Sequence, residues 1–131
     1  MPTIFSKIIE GDIPSYKIAE DEQFYAFLDI NPLSKGHTLV IPKKEVDYFF
    51  DLEDDLLTAM MPFCKRVASA IEQTVPCKRI GVSVVGLEVP HAHVHLIPIQ
   101  SIGDMNFSNE RVQMSEEEFK TLAQQIRRNL K

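Results

Sequence analysis

The sequence predicts an α+β fold, in which about five strands form an antiparallel sheet with helices packed on one face of it. Short apolar segments alternate with turn-rich loops, and two longer segments carry apolar residues at the three- and four-residue spacing of an amphipathic helix. The predicted order is strand, strand, strand, helix, strand, strand, helix, which is typical of this class. We expect residues 1–131 to form a single domain, with a core over about 4–99 and a C-terminal extension and helix over 100–131.

The N-terminal part supplies a short helical turn and three strands. Residues 4–10 are mostly apolar and are followed by Gly11, as expected for a short helix that stops at glycine. Strands are predicted over 16–19 and 23–28, and a third over 37–42. The third strand is almost wholly apolar after its first residue, so it should lie inside the sheet.

A long amphipathic helix is predicted after the third strand. Acidic residues between positions 51 and 55 suit its positive N-terminal end, and its apolar positions are Leu56, Leu57, Met60, Met61, Cys64, Val67, Ala68 and Ile71. Pro62 lies inside this pattern and is expected to kink the helix or break it in two. Tyr48, Phe49 and Phe50 precede the helix, and we favour core packing for them over stacking on a ligand.

Two further strands and a second helix complete the prediction. The strands over 78–85 and 91–99 are joined by a tight connection, so they should be antiparallel neighbours. Ser115 followed by Glu118 forms a capping box, which should open a final helix that runs to about Leu130.

Composition and charge narrow the class of partner. The net charge of −5 argues against broad binding to nucleic acid or to an anionic membrane, which would need a basic surface. No apolar run is long enough to span a membrane and the N-terminus lacks the layout of a signal peptide, so we expect a cytoplasmic protein. Cys64 and Cys77 are too few for a disulfide framework, and neither is assigned a catalytic role.

Three of the four histidines occur at alternate positions, His91, His93 and His95. On a strand these side chains would share one face, whereas a helix would scatter them. They could be incidental on an exposed face, or two could bind Zn²⁺ with a remote ligand, although a straight strand spreads the outer pair by about 13 Å. We favour a third interpretation, an anion site, because imidazole donates hydrogen bonds to phosphate oxygens and can act as nucleophile, base or acid near neutral pH.

The segment His91-Ala92-His93-Val94-His95-Leu96-Ile97 resembles the His-φ-His-φ-His-φ-φ signature, where φ is apolar, of the histidine-triad (HIT) family of nucleotide hydrolases and transferases. Two other stretches resemble that family in the same order: Ile4-Phe5-Ser6-Lys7-Ile8-Ile9 with Ile13-Pro14, and Phe27-Leu28-Asp29-Ile30-Asn31-Pro32 followed by Gly36-His37-Thr38-Leu39-Val40-Ile41-Pro42-Lys43. The resemblance covers about residues 4–99 and implies a HIT-like fold.

The resemblance implies a catalytic role for four histidines. His93 would attack the α-phosphorus of a purine nucleotide, giving a nucleotidyl-histidine that water hydrolyses to release a nucleoside monophosphate. His91 and His95 would donate hydrogen bonds to the non-bridging oxygens. His37 matches the family's fourth histidine and would close the phosphate side or orient the others, although from the residues alone it could be an ordinary histidine at a strand start.

The resemblance also implies a nucleoside pocket. Asp29 matches the family's ribose-binding aspartate, although composition alone would favour a carboxylate that caps the following turn. The residues that match the apolar base pocket are each, taken alone, ordinary core candidates: Phe5, Ile8, Ile13, Phe27 and Ile30.

The segment before the histidines departs from the family pattern, since many members also carry an asparagine upstream of it. Leu87 stands where many members carry a glutamine, and it cannot donate a hydrogen bond to a phosphate or a leaving group. Glu88 offers a carboxylate near the nucleotide, as a proton donor or a ring orienter, or else as a solvated loop residue. The alternative to a hydrolase is therefore a nucleotide-binding regulatory module that uses the same pocket without catalysis.

Cofactor and partner expectations follow from this interpretation. Hydrolysis requires no metal or other cofactor, and Mg²⁺ could arrive with a polyphosphate substrate such as a dinucleoside polyphosphate. A nucleoside phosphoramidate is the other substrate class expected. The resemblance also implies a homodimer, which the apolar positions from Leu56 to Ile71 would permit.

Overall fold

The computed structural model describes residues 2–131. Within these residues there are three α-helices and five strands, with one turn of 3₁₀ helix at Phe49–Asp51 and another at Ile102–Met105. In chain order the main elements are α1 Ile4–Ile9, β1 Lys17–Glu20, β2 Phe24–Leu28, β3 Thr38–Pro42, α2 Asp54–Thr74, β4 Arg79–Ser83, β5 Val94–Ile99 and α3 Glu116–Arg128.

The five strands form one sheet in the order β1-β2-β3-β5-β4, and every neighbouring pair is antiparallel. This confirms the predicted α+β class and the pairing of the last two strands. β3 and β5 are inner strands, so the sheet brings the end of the second strand, the start of the third and the histidine segment close together.

The last strand begins later than the sequence predicted, at Val94 rather than at His91. The backbone N–H of His91 donates to Val89 O and that of Ala92 donates to Val46 O, so neither joins the sheet ladder. His91 and His93 therefore belong to the loop before the strand, and only His95 lies in β5.

The core has two parts because side chains of the inner strands alternate between the faces of the sheet. Phe24, Ala26 and Leu28 of β2 pack with α2 and α3, whereas Tyr25 and Phe27 pack on the opposite face with α1. The expectation that all helices share one face is therefore wrong for α1. This second face is the one that carries the histidines.

The structure corrects two expectations around α2. The helix runs through Pro62 without being divided, since the exposed proline removes one N–H donor while Met60, Phe63 and Cys64 remain buried. Core packing is wrong for Tyr48 and Phe50, which are 59% and 72% exposed, and only Phe49, between them, packs against the core.

The last helix has the predicted capping box, in which Ser115 Oγ accepts from Glu118 N and the Glu118 carboxylate accepts from Ser115 N. Its apolar face, which includes Phe119 and Ile126, is buried in the core beside α2. Within residues 2–131 no helix is long and apolar enough to cross a membrane. The cytoplasmic location stays a prediction.

Replacing Gly36 with alanine is expected to destabilise the fold. Its φ is +97°, and an added Cβ would lie 3.1 Å from both Pro98 Cγ and Val75 Cγ2, tighter than ordinary van der Waals contact. Strain and overpacking together should lower the free energy of unfolding by about 2–4 kcal/mol, measured by urea denaturation.

Gly11→Ala is the matched control for that substitution. Gly11 also has a positive φ, +85°, but an added Cβ would meet nothing within 4 Å. It should cost only the backbone strain, roughly 1 kcal/mol. Equal losses in the two variants would contradict the packing argument.

Candidate active site

All four histidines are buried on the α1 side of the sheet, and none is more than 8% exposed. The ring centroids of His93 and His95 are 5.0 Å apart, and those of His37 and His95 are 5.2 Å apart. The structure thus brings together the residues that the sequence singled out, although by a loop and a strand rather than by one straight strand.

The hydrogen bond of His93 fixes which of its nitrogens is free. Nδ1 lies 2.7 Å from His91 O, and a carbonyl oxygen only accepts, so Nδ1 carries the proton. In the neutral ring Nε2 is then an unprotonated nitrogen with an available lone pair. This is the tautomer that a nucleophilic histidine needs.

A chain of hydrogen bonds fixes the protons on His37 and His95. Leu33 N donates to His37 Nδ1 at 3.0 Å, so the neutral His37 ring carries its proton on Nε2. That nitrogen donates to His95 Nδ1 at 2.9 Å. Nε2 of His95 is therefore a donor, available for a phosphate oxygen.

Burial keeps both of these rings neutral. It lowers the pKa of His37 to about 3 and that of His95 to about 4, and the positive charge of Arg111 adds to both effects. The proton arrangement described above is therefore the stable one at neutral pH.

His91 does not have the role that the resemblance implied, which was to donate a hydrogen bond to a phosphate oxygen. Its Nε2 donates to Pro42 O at 2.8 Å, and its Nδ1 accepts from Thr3 Oγ1 at 2.9 Å. Both ring nitrogens are thus occupied by protein partners, so in this structure the ring has no free N–H for a phosphate oxygen. Its carbonyl instead orients His93, and the hydroxyl of Thr3 and the carbonyl of Pro42 hold the ring.

Asp29 caps the following turn, as composition alone suggests, and its role in ribose binding stays a prediction. Its Oδ1 accepts from Asn31 N at 2.8 Å, which is the turn cap, while Oδ2 lies 3.6 Å from His37 Nε2. Because His37 is neutral, the second contact is not an ion pair. Burial raises the pKa of the Asp29 carboxyl, and the hydrogen bond from Asn31 and the charge of Arg111 oppose that rise.

The residues expected to bind the base are not all in one place. Phe5, Ile8 and Phe27 form a buried cluster on the histidine face, and the Phe5 ring meets the His93 ring edge-on at 5.1 Å between centroids. Ile13 packs at the edge of that cluster and also lines, with Ile30, a pocket that reaches α3. Ile30 is 73% exposed and does not line the pocket that contains the histidines.

A pocket of about 160 Å³ joins the predicted ribose and phosphate positions. Asp29, His93 and His95 line it, together with Leu87 and Glu88 of the loop that precedes the histidines. Leu87 is 87% exposed, so the departure from the family pattern lies on the pocket itself.

Sequence reasoning missed two residues of this pocket, Phe107 and Arg111. The Phe107 ring packs edge-on against His95 at 4.8 Å, and the Arg111 guanidinium lies 5.8 Å from the centroid of the Phe107 ring. Both belong to the C-terminal extension, where no periodic pattern signals proximity to the histidines. The one available signal was a basic residue in a region without predicted structure.

Asp29, His37 and His95 could offer a metal three ligand atoms, which lie within 4.8 Å of one another. Two of these atoms, Nε2 of His37 and Nδ1 of His95, already share a proton in a hydrogen bond. A metal ion would have to displace that proton, so the observed arrangement is suited to hydrogen bonding.

Acidification is expected to destabilise the fold between about pH 6.5 and pH 4. The ordinary histidine pKa is 6.5, and the folded values for His37 and His95 are about 3 and 4. In this window the unfolded chain binds protons that the folded chain does not, so stability is complete above pH 6.5 and falls as pH falls. Each histidine should contribute a slope of up to about 1.4 kcal/mol per pH unit.

Urea denaturation at several pH values measures this slope. The raised pKa of Asp29 acts in the opposite direction and should flatten the acid end. Burial also lowers the pKa of His91, which adds to the slope, and the slope should be smaller in His37→Gln, which lacks one of these three groups. A wild-type stability that stays constant or rises from pH 6.5 to pH 5 would contradict the assigned neutral rings.

The fold and the site define a class of protein: an antiparallel α+β chain whose buried histidines present one free imidazole nitrogen to a small pocket. The chain belongs to the HIT family, whose HIT-domain model matches residues 10–102.

Individual relatives agree with this assignment. Adenosine 5'-monophosphoramidase HNT1 of Saccharomyces cerevisiae is 44% identical over 96 residues, which are 72% of this chain and 61% of that protein. An uncharacterized HIT-like protein of Borreliella burgdorferi is 36% identical over 135 residues, covering 97% of each chain. The crystal structure of a Hit-like protein from Bartonella henselae, with an unknown ligand, has a TM-score of 0.83 at 30% identity, covering 98% of this chain and 96% of that one.

Proposed function

We propose that this protein hydrolyses a bond to the α-phosphate of a purine nucleotide and releases a nucleoside monophosphate. The observation that carries the proposal is the free Nε2 of His93, which results from the bond between Nδ1 and His91 O. This nitrogen belongs to a residue that lines the pocket shared with Asp29 and His95.

The reaction would take place in two displacements. His93 Nε2 attacks the α-phosphorus, the bond to the leaving group breaks, and the leaving group departs with that electron pair. Water then attacks the same phosphorus and loses a proton to the solvent, the N–P bond breaks, and the electron pair returns to Nε2. His95 Nε2–H would stabilise the charge that develops on a phosphate oxygen in both steps.

Other residues near this phosphate position would bind the ribose and the base of the nucleotide. Oδ2 of Asp29 accepts from no backbone donor within residues 2–131 and would accept from the ribose hydroxyls. The apolar cluster that contains Phe5, Ile8 and Phe27, with Ile13 at its edge, would lie against the base. Ile30, which is exposed outside this cluster, would contact the base only at its rim. Glu88, in the loop that lines the pocket, would face the leaving group.

Two substrate classes fit this site. The relative named adenosine 5'-monophosphoramidase supports a nucleoside phosphoramidate. The second class is a dinucleoside polyphosphate, in which the leaving group is itself a nucleotide. No metal is needed for the steps above, and Mg²⁺ would serve only to neutralise a polyphosphate substrate.

The test is AMP release from adenosine 5'-phosphoramidate and from diadenosine tetraphosphate, first in EDTA and then with Mg²⁺. Release from either substrate in EDTA supports the proposal, and the preferred substrate identifies the leaving group. Release that requires added metal with both substrates would overturn the metal-free mechanism.

We also propose that the chain forms a homodimer. β4 is an edge strand of the sheet, and Val82, Val84 and Val85 in and after it are 57%, 40% and 47% exposed. Met61 of α2 is 46% exposed as well. Light scattering after size exclusion should give twice the chain mass of 15.0 kDa, and Val82→Lys should shift it to the monomer. A wild-type monomer at micromolar concentration would contradict the dimer.

A nucleotide-binding regulatory module remains the second candidate, and the exposed Leu87 favours it. A protein of this kind would bind AMP without turnover of either substrate. In that case Leu87→Gln, which restores an amide donor, should produce activity.

A further inference from the structure

Arg111 is held in place beside the histidine pocket by two main-chain carbonyls. Its Nη1 donates to Asn31 O at 2.9 Å and its Nη2 donates to Phe107 O at 3.1 Å. The next residue is also attached, since Val112 N donates to Pro32 O at 2.9 Å. The guanidinium is therefore fixed against the loop that follows β2, where Asp29 begins the turn.

The fixed guanidinium has unused hydrogen-bonding capacity. A guanidinium carries five N–H donors, and these contacts use two of them. Among residues 2–131, no carboxylate oxygen forms an ion pair with Arg111 within 4.0 Å. The charge of Arg111 is thus not neutralised by a close protein partner.

Arg111 is also the only lysine or arginine among the described residues that line this pocket. The neighbouring rings of His37 and His95 are neutral at pH 7, so they supply no positive charge. Asp29 and Glu88 line the same pocket with negative charge. Arg111 is therefore the group in this pocket that offers a positive charge to an anion.

We propose that Arg111 binds a phosphate group of the leaving group, so that the pocket selects nucleotides with a phosphate beyond the α-phosphate. The inference rests on the proposed hydrolase function and adds a leaving-group subsite to it. Arg111 lies outside residues 10–102, the part matched by the family model, so this subsite comes from the C-terminal extension.

The chemistry of the leaving group explains why a fixed cation matters. When the bond between the α-phosphorus and the bridging oxygen breaks, that oxygen keeps the electron pair and the departing polyphosphate gains a negative charge. A guanidinium stabilises such an oxyanion by charge-assisted hydrogen bonds. The amine released from a phosphoramidate takes up a proton and needs no such partner.

Binding of two non-reacting ligands tests the subsite. Isothermal titration calorimetry would compare AMP with α,β-methylene-ADP, which adds a terminal phosphonate joined through a methylene group that resists hydrolysis. In Arg111→Gln the affinity for α,β-methylene-ADP should fall roughly tenfold or more relative to that for AMP. Arg111→Lys, which keeps the charge but not the planar fork, should lose less. Arg128→Gln, the same charge change at an exposed residue of α3 on the other face of the sheet, should behave as wild type.

The outcomes separate this inference from the proposed function. If Arg111→Gln weakened the binding of both ligands equally, Arg111 would have a structural role or bind the α-phosphate, and the subsite would be overturned. Unchanged affinity for both ligands would overturn it as well. A wild type that binds both ligands but releases no AMP from any substrate would contradict the hydrolase while the affinity ratio still decides the role of Arg111. A wild type that binds neither ligand would overturn both.

Discussion

His93→Ala is expected to reduce AMP release by at least about 1,000-fold while leaving AMP affinity within a few-fold of wild type. The substitution removes the nitrogen that attacks phosphorus, but it leaves Asp29 and the apolar cluster around Phe5 in place. Steady-state assays on both substrates measure the first effect, and calorimetry with AMP measures the second.

A matched substitution separates chemistry from packing. His91→Asn alters a buried histidine whose nitrogens both contact protein, so it should lose less activity than His93→Ala and more stability. Activity of His93→Ala within tenfold of wild type would exclude His93 as the nucleophile.

His37→Asn is expected to lower kcat by roughly 100-fold, and His37→Gln by much less. The Asn carboxamide can replace Nδ1 and accept from Leu33 N, but it does not reach His95. The Gln carboxamide extends to the position of Nε2 and can donate to His95 Nδ1, which keeps the His95 proton on Nε2. The His37→Asn substitution should lower kcat and leave KM nearly unchanged, because the His37 side chain acts through His95.

Both His37 variants should be destabilised, since each disrupts a buried hydrogen bond, and urea denaturation shows whether they remain folded at the assay temperature. An equal kcat in the two folded variants would contradict the proton assignment of His95. The comparison does not depend on the identity of the leaving group.

The regular elements were predictable because their periods are local. The three- and four-residue spacing in α2 reports one buried face, and the continuous apolar run from Phe24 to Leu28 is typical of a strand that is buried on both faces. The exposed aromatic residues Tyr48 and Phe50 were not predictable in this way. Because the three aromatic residues are consecutive, their spacing does not indicate which of them is buried and which is exposed.

The histidine cluster was predictable as a group but not in its detailed roles. The spacing of His91, His93 and His95 indicated a common face, whereas the ring contacts of His91 depend on Thr3, 88 positions away in the sequence. The position of Arg111 likewise depends on the carbonyl oxygens of Asn31 and Phe107, which accept hydrogen bonds from its guanidinium. Main-chain acceptors are present at every residue, so the sequence carries no signal for which one is used.

The stereochemical course at the α-phosphorus tests the nucleotidyl-His93 intermediate most directly. A substrate with a chiral α-phosphorothioate is hydrolysed in ¹⁸O-labelled water, and the configuration of the product is determined. Two successive in-line displacements, first by His93 and then by water, predict net retention. Net inversion would mean that water attacks the substrate directly and would contradict the account.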